Sequence, residues 1–130
     1  RSRGLGVGAL RAWVSLVANQ LAPHQDSLGV RLTGDREMRR LNREFRGKDK
    51  STDVLSFPGD ATPEGRHLGD IVVSVETARR QAAERGHGLD REVRLLLLHG
   101  LLHCLGHDHE SDAGEMDRLE RKLRRKWLDR

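Results

Sequence analysis

The sequence predicts one small domain that contains both helices and strands and is built around a largely buried helix. Its 130 residues suit a single modest hydrophobic core. Apolar residues recur at helical spacing in several segments, and they alternate or cluster as in strands in others. The segment around Leu95–Leu98 is too apolar for a surface helix, so we expect it to lie inside the domain.

The first half of the chain predicts a helix, a strand, a second helix and a second strand. Pro23 ends the first helix, Thr33, Gly34 and Asp35 form the turn into the second helix, and Pro58 ends the second strand. The inward positions are Leu10, Trp13, Val14, Val17 and Leu21 in the first helix, Leu28, Val30 and Leu32 in the first strand, and Met38, Leu41 and Phe45 in the second helix.

The second half predicts one more strand and three helices. A loop is expected over Gly59–Arg66, and the strand Leu68–Ser74 should pair with the preceding strand. Ser74 can cap a third helix that runs to Gly86. The histidine-bearing helix follows, and the last helix has a buried stripe at Met116, Leu119, Leu123 and Trp127.

Two histidines four residues apart, His99 and His103, are the most informative feature of the sequence. On a helix this spacing places both imidazoles on one face, about 6 Å apart. One metal ion with bonds of about 2.0–2.1 Å can bridge them, and imidazole suits zinc. The pair alone is also compatible with two ordinary core or surface histidines.

A third ligand must come from beyond this pair. A helical His107 would lie about 12 Å along the axis from His99, too far for one ion. Gly106 is the type of residue that ends a helix in a left-handed turn, and such a turn lets the chain bring His109 back. His109 is therefore the better third ligand. Three protein ligands leave a fourth position open, as in catalytic zinc sites.

The histidine run is similar to the zinc-protease signature H-E-x-x-H but differs from it at position 100. Those proteases carry at this position the glutamate that acts as general base, whereas this chain has Gly100. Peptide hydrolysis by that mechanism is not expected.

Charge and residue usage set further limits. The formal net charge is +4, and arginine far outnumbers lysine. Arginine suits phosphate binding, but a high arginine content also arises from genomic composition. RNA binding can therefore be argued only from the position of individual arginines. The single cysteine, Cys104, excludes an internal disulfide and fits a reducing compartment. No apolar stretch reaches the roughly 18 residues of a membrane span.

Four segments together closely resemble the YbeY family of metal-dependent endoribonucleases. They are Asn42–Asp49, Thr52–Pro58, Leu68–Ile71 and the histidine run His99–His109, in the order that the family has them. The resemblance implies an α+β fold for a single domain over 1–130, with a small mixed sheet packed against helices. The chain departs from the family at its N-terminal end, where we expect the family's first strand to be short or missing.

The resemblance further implies one zinc ion (Zn²⁺) per chain, held by His99, His103 and His109, and a catalytic site that these residues share with Arg46. The activity it implies is single-strand-specific cleavage during 3′-end maturation of small-subunit ribosomal RNA and in ribosome quality control. The implied partners are single-stranded and ribosomal RNA, the small ribosomal subunit and its assembly factors. The implied location is the cytoplasm, and neither a membrane nor DNA is expected as a partner. A metallohydrolase of peptides or small amides, and an assembly factor with structural zinc, are the alternatives.

Arg46 can be interpreted in two ways from the residues alone. It ends the second helix before Gly47, so its guanidinium can hold a phosphate in a cleft or simply complement the helix dipole. The general base stays open. His107, Asp108 and Asp70 are candidates, and zinc-bound hydroxide needs no separate base.

Overall fold

Five helices and four strands follow one another in residues 5–106 and 114–129, the part of the chain that this computed structural model describes. The helices are α1 (Val7–Leu21), α2 (Asp35–Arg46), α3 (Val75–Arg85), α4 (Leu89–Cys104) and α5 (Glu115–Trp127). The strands are β1 (Ser27–Thr33), β2 (Val54–Pro58), β3 (Ala61–Thr62) and β4 (Gly65–Ser74). Within the described residues no strand precedes α1.

Strand β4 is the centre of a mixed sheet. It pairs in parallel with β1 and antiparallel with β2, and its first residues pair antiparallel with the short β3. The strand order β1-β4-β2 places β2 at an edge of the sheet in the described part of the chain. The predicted α+β class, the mixed sheet and the pairing of Leu68–Ser74 with the preceding strand are therefore confirmed.

The sheet divides the buried residues into two clusters. Ile71 and Val73 of β4 contribute to one cluster and Val72 to the other, because successive side chains of a strand point to opposite faces. The larger core joins Ile71 and Val73 to residues of α1, α3, α4 and α5. The smaller core joins Val72 and Leu55 to α2. Helices α2 and α4 thus lie on opposite faces of the sheet.

Helix α4 is the central element of the larger core, as the sequence predicts. Nine of its 16 residues are buried, and it packs against β2, β4, α1, α3 and α5. Gly100 allows the helix to approach the sheet closely. A Cβ atom at this position would lie 2.8 Å from Cγ2 of Ile71, which is closer than real Cβ contacts come. The histidine-bearing helix is therefore held tightly against β4.

Three details of the sequence prediction are wrong. Val30, predicted to point inward, is 39% exposed on β1, an edge strand of the sheet. The segment Gly59–Arg66, predicted as a loop, contains β3 and the first residues of β4. Main-chain pairing between β3 and β4 forms this hairpin, so it needs no apolar alternation. Phe45, predicted to point inward, is 60% exposed. It lies at the end of the smaller core, where its ring meets the edge of Phe57 with centroids 5.4 Å apart.

A hydrogen-bond network around the Asp35 carboxylate ties α2 to β4 and α3. Its donors are the hydroxyls of Ser51, Ser74 and Thr77, at 3.1, 2.5 and 2.5 Å, and the Arg80 guanidinium at 2.7 Å. Burial opposes ionisation, but these hydrogen bonds outweigh it and hold the pKa of Asp35 well below its usual range. Ser74 also accepts a bond from the Thr77 amide, which confirms that it caps α3.

None of the helices in the described residues combines the length and the apolar character needed to cross a membrane.

Candidate active site

Helix α4 brings His99 and His103 together, as their spacing predicts. Their Nε2 atoms are 3.0 Å apart, and their ring centroids are 4.6 Å apart. Two nitrogens bound to one tetrahedral zinc ion, with bonds of about 2.05 Å, are about 3.3 Å apart. A small rotation of either ring therefore suffices for both nitrogens to bind one ion. The donor chemistry and the spacing of this pair fit zinc.

Glu120 of α5 orients His99 from the side opposite the pair. Its Oε1 lies 2.5 Å from Nδ1 of His99, and both side chains are partly buried. This hydrogen bond raises the pKa of His99, against the effect of burial, and the charges of Glu120 and Asp53 add to it. A carboxylate on Nδ1 fixes the tautomer in which Nε2 carries the lone pair that can bind a metal.

Sequence reasoning missed Glu120, although a local signal was present. Glu120 stands four residues after Met116 and three before Leu123, so it shares the face of α5 that carries these two buried residues. A carboxylate on an apolar helix face needs a partner, and that partner is His99.

The predicted third ligand, His109, lies outside the described residues, as do His107 and Asp108. Within residues 5–106 and 114–129, no group of three His, Cys, Asp or Glu side chains is gathered closely enough to hold a metal ion. Helix α4 ends at Cys104, and Gly106 has a φ of 97°. The predicted glycine turn after the histidine helix is thus present.

Arg46 lies on the same cavity as the two histidines. The cavity has a volume of about 730 Å³, and its walls come from the end of α2, from β2 and from α4 and α5. Arg46 is exposed, and no ion pair or side-chain hydrogen bond occupies its guanidinium among the described residues. Because β2 is an edge strand, a side chain from the α2 face can line the same cavity as the histidines on the α4 face.

The local sequence explains the position of Arg46 at the end of α2. Gly47 adopts a left-handed conformation with a φ of 69°, and its amide donates to the Arg43 carbonyl. The buried Asn42 side chain donates from Nδ2 to the Lys50 carbonyl at 2.9 Å, which anchors the loop that follows. The helix therefore stops where Arg46 can project into the cavity.

Asp70 and Cys104 lie near each other, away from these contacts. The Asp70 carboxylate lies 3.2 Å from Nε2 of His67 and does not contact His99 or His103 in the described structure. Cys104 is half-buried beside Gly69, where a Cβ atom would lie 2.6 Å from its sulfur. Burial, helped by the charge of Asp70, raises the pKa of the Cys104 thiol to about 11. Cys104 therefore packs as an un-ionised thiol.

A comparison with known protein families finds one that matches almost the whole chain. The family model described as endoribonuclease YbeY matches residues 8–128 of this chain. The chain belongs to the YbeY family. A YbeY relative from Nautilia profundicola, named endoribonuclease YbeY, is 57% identical over 95 residues, covering 73% of this chain and 68% of that protein.

Other YbeY relatives extend the similarity over more of the chain. One from Aquifex aeolicus is 45% identical over 115 residues, covering 88% of this chain and 76% of that protein. One from Myxococcus xanthus is 49% identical over 120 residues, and the match spans 41% of its length. The solution structure of TM1509 from Thermotoga maritima has 27% identity and a TM-score of 0.66, covering 98% of this chain and 87% of that one.

Proposed function

We propose that this chain is a zinc-dependent endoribonuclease that cleaves single-stranded RNA. Its proposed role is the maturation of the small-subunit ribosomal RNA 3′ end and ribosome quality control, in the cytoplasm, with the small subunit and its assembly factors as partners. Membership of the YbeY family supports the cleavage of RNA. The observation that carries the proposal is the cavity shared by the His99–His103 pair and Arg46.

In this proposal His99, His103 and His109 hold one zinc ion. When bound, zinc would polarise a phosphoryl oxygen of the substrate or lower the pKa of a water molecule. Glu120 keeps Nε2 of His99 directed at the ion through its bond to Nδ1. Arg46 receives the scissile phosphate, because a guanidinium binds phosphate in a two-pronged fashion and stabilises charge that develops on it.

Gly100 argues against the alternative of a peptide or amide hydrolase of the H-E-x-x-H type. Position 100 lies where α4 packs against β4. A Cβ atom at this position would already lie 2.8 Å from the Ile71 side chain. A glutamate general base therefore has no room at this position. The two acidic side chains of the cavity are already bonded, Glu120 to His99 and Asp53 to the Val54 amide and the Gln81 side chain.

The proposal is tested with purified protein on fluorescent single-stranded RNA, on the same RNA in a duplex, and on casein, each with and without chelator. We expect chelator-sensitive cleavage of the single strand alone and about one equivalent of zinc by elemental analysis. His103→Ala should lose both the metal and the activity. Cleavage of casein, or metal binding with ribosome association but no RNA cleavage, would overturn the proposal in favour of one of the alternatives.

The phosphate role is tested with Arg46→Ala and a matched control, Arg43→Ala. Both arginines are exposed on the last turn of α2, but only Arg46 lines the cavity. Arg46→Ala should keep its zinc and lose about 10²–10³ in cleavage rate, the usual cost of one such transition-state contact. Arg43→Ala should cleave normally. Equal cleavage rates for the two variants would contradict the phosphate role of Arg46, and its charge would then serve only to complement the helix dipole.

A further inference from the structure

Two further arginines line the cavity that holds His99, His103 and Arg46. Arg85 comes from the end of α3 and Arg124 from α5. They are far apart in the sequence, and each is one of several arginines on its own helix. One arginine from each of the helices α2, α3 and α5 therefore lines the same cavity.

Of the three cavity arginines, Arg124 is the one with a buried hydrogen-bond donor that lacks an acceptor among the described residues. It follows Glu120 by four residues on α5, so the two side chains share the helix face that meets the histidines. Its Nε atom is buried, and no hydrogen-bond acceptor reaches it among the described residues. A buried N–H without an acceptor is rare in native proteins and indicates a group or water that completes it. The Arg124 side chain also lines the cavity, so a ligand held there can complete its bonding.

Arg85 is held in place at one end of its guanidinium. Its Nη1 lies 2.6 Å from Oε2 of Glu92. Glu92 is fully buried, and its other oxygen, Oε1, lies 2.6 Å from Nε2 of His87. The Arg85 side chain is nevertheless 53% exposed. Glu92 therefore fixes a guanidinium at the cavity wall while leaving other N–H groups able to meet a ligand.

The arginines of the cavity outnumber its acidic residues by three to two. Asp53 accepts a bond from the Val54 amide at 2.7 Å and one from the Gln81 side chain at 3.3 Å. Glu120 is bonded to His99. Three guanidinium groups therefore line a space with two carboxylates, and one of the three, that of Arg85, is also paired with Glu92 behind it. A polyanion is the ligand class that this balance favours.

We propose that Arg124, flanked by Arg85, forms a second phosphate-binding subsite for the RNA strand, in addition to the phosphate at Arg46. This inference rests on the proposed RNA-cleaving function. A phosphate oxygen would accept the hydrogen bond of the buried Nε of Arg124, and the second oxygen would meet its Nη group, as in two-pronged arginine–phosphate contacts. The subsite would hold the RNA strand so that its scissile phosphate lies at the histidine pair. Arg124 is therefore a positioning residue.

The test compares Arg124→Gln with Arg125→Gln in the full chain. Both changes remove one positive charge from the last turns of α5, but Arg125 is exposed and does not line the cavity. Affinity for a short fluorescent single-stranded RNA is read by anisotropy within seconds of mixing, over a range of salt concentrations. Cleavage rates on the same RNA give kcat and KM.

For Arg124→Gln we expect the slope of log affinity against log salt to fall by about 0.7, the value for one phosphate contact on a single strand. Affinity should fall by about tenfold and KM should rise more than kcat falls. Arg124→Lys should keep the slope but lose part of the affinity, because an ammonium cannot supply the fork. It also retains the charge and most of the bulk that folding needs.

Equal slopes and affinities for Arg124→Gln and Arg125→Gln would overturn the second subsite while RNA cleavage by the unmodified protein still stood. The proposed function fails in a different way, namely if the unmodified protein cleaves no RNA. The difference in salt slope between the two variants would still decide the phosphate contact in that case.

Discussion

Replacing Glu120 by alanine removes the carboxylate that holds His99 at 2.5 Å. In the proposed zinc site this carboxylate fixes the tautomer and the ring orientation of a metal ligand. Loss of such a partner typically lowers metal affinity by about 10–100-fold, which corresponds to roughly 1.4–2.8 kcal/mol. We expect the upper part of this range, because the bond is short and Glu120 is largely shielded from water, with a side chain 16% exposed.

Zinc affinity of this variant is measured by competition with a chromophoric chelator at neutral pH. Asp117→Ala is the control, since Asp117 lies on the same helix with a side chain that is 50% exposed and pairs with Arg121. Glu120→Gln should fall between Glu120→Ala and the unmodified protein, because its amide oxygen still accepts a hydrogen bond but carries no charge.

A second readout does not depend on the metal. In the metal-free protein, Glu120 holds the pKa of His99 above its usual value, chiefly through the hydrogen bond. Nuclear magnetic resonance titration of the imidazole should therefore show a lower pKa in Glu120→Ala. Unchanged zinc affinity together with an unchanged His99 pKa would refute the role that the structure gives to Glu120.

Two other substitutions, Gly100→Ala with Gly8→Ala as its control and Asp35→Ala, test how the site is supported. Gly100→Ala places a methyl group against β4 and should cost about 1–3 kcal/mol of unfolding free energy by overpacking. Gly8→Ala, at an open position in α1, should be neutral or stabilising by up to about 1 kcal/mol, and urea denaturation compares the two. Asp35→Ala should cost about 2 kcal/mol at neutral pH through lost hydrogen bonds to a charged group. Because folding lowers the pKa of Asp35, its contribution is complete above the unfolded pKa of about 4 and is lost as the pH falls below it. The two proteins should therefore converge in stability at acidic pH, and a gap that stays constant would contradict this account.

The parts of the site that depend on local spacing could be predicted from the sequence. The four-residue interval of His99 and His103 fixes their common helix face, and a glycine after Arg46 marks the end of its helix. Both predictions rest on the geometry of a single helix, which neighbouring elements do not change.

The contacts between elements could not be predicted in this way. Glu120 meets His99 across 21 positions of sequence because α5 packs on α4, and no local pattern specifies that packing. The exposure of Phe45 has the same origin, since α2 extends beyond the smaller core that covers its earlier apolar residues. The β3 hairpin was missed because main-chain pairing, and not apolar alternation, holds it.

The histidine pair and Arg46 are held in place by different hydrophobic cores. The histidine pair stands on α4 in the larger core, whereas Arg46 ends a helix that rests on the smaller core, with Met38 and Leu41 beneath it. A change that loosens the smaller core would therefore displace the guanidinium without disturbing the imidazoles. In the proposed enzyme, substitutions in the smaller core would therefore change phosphate binding at Arg46 and leave metal binding at the histidine pair unchanged.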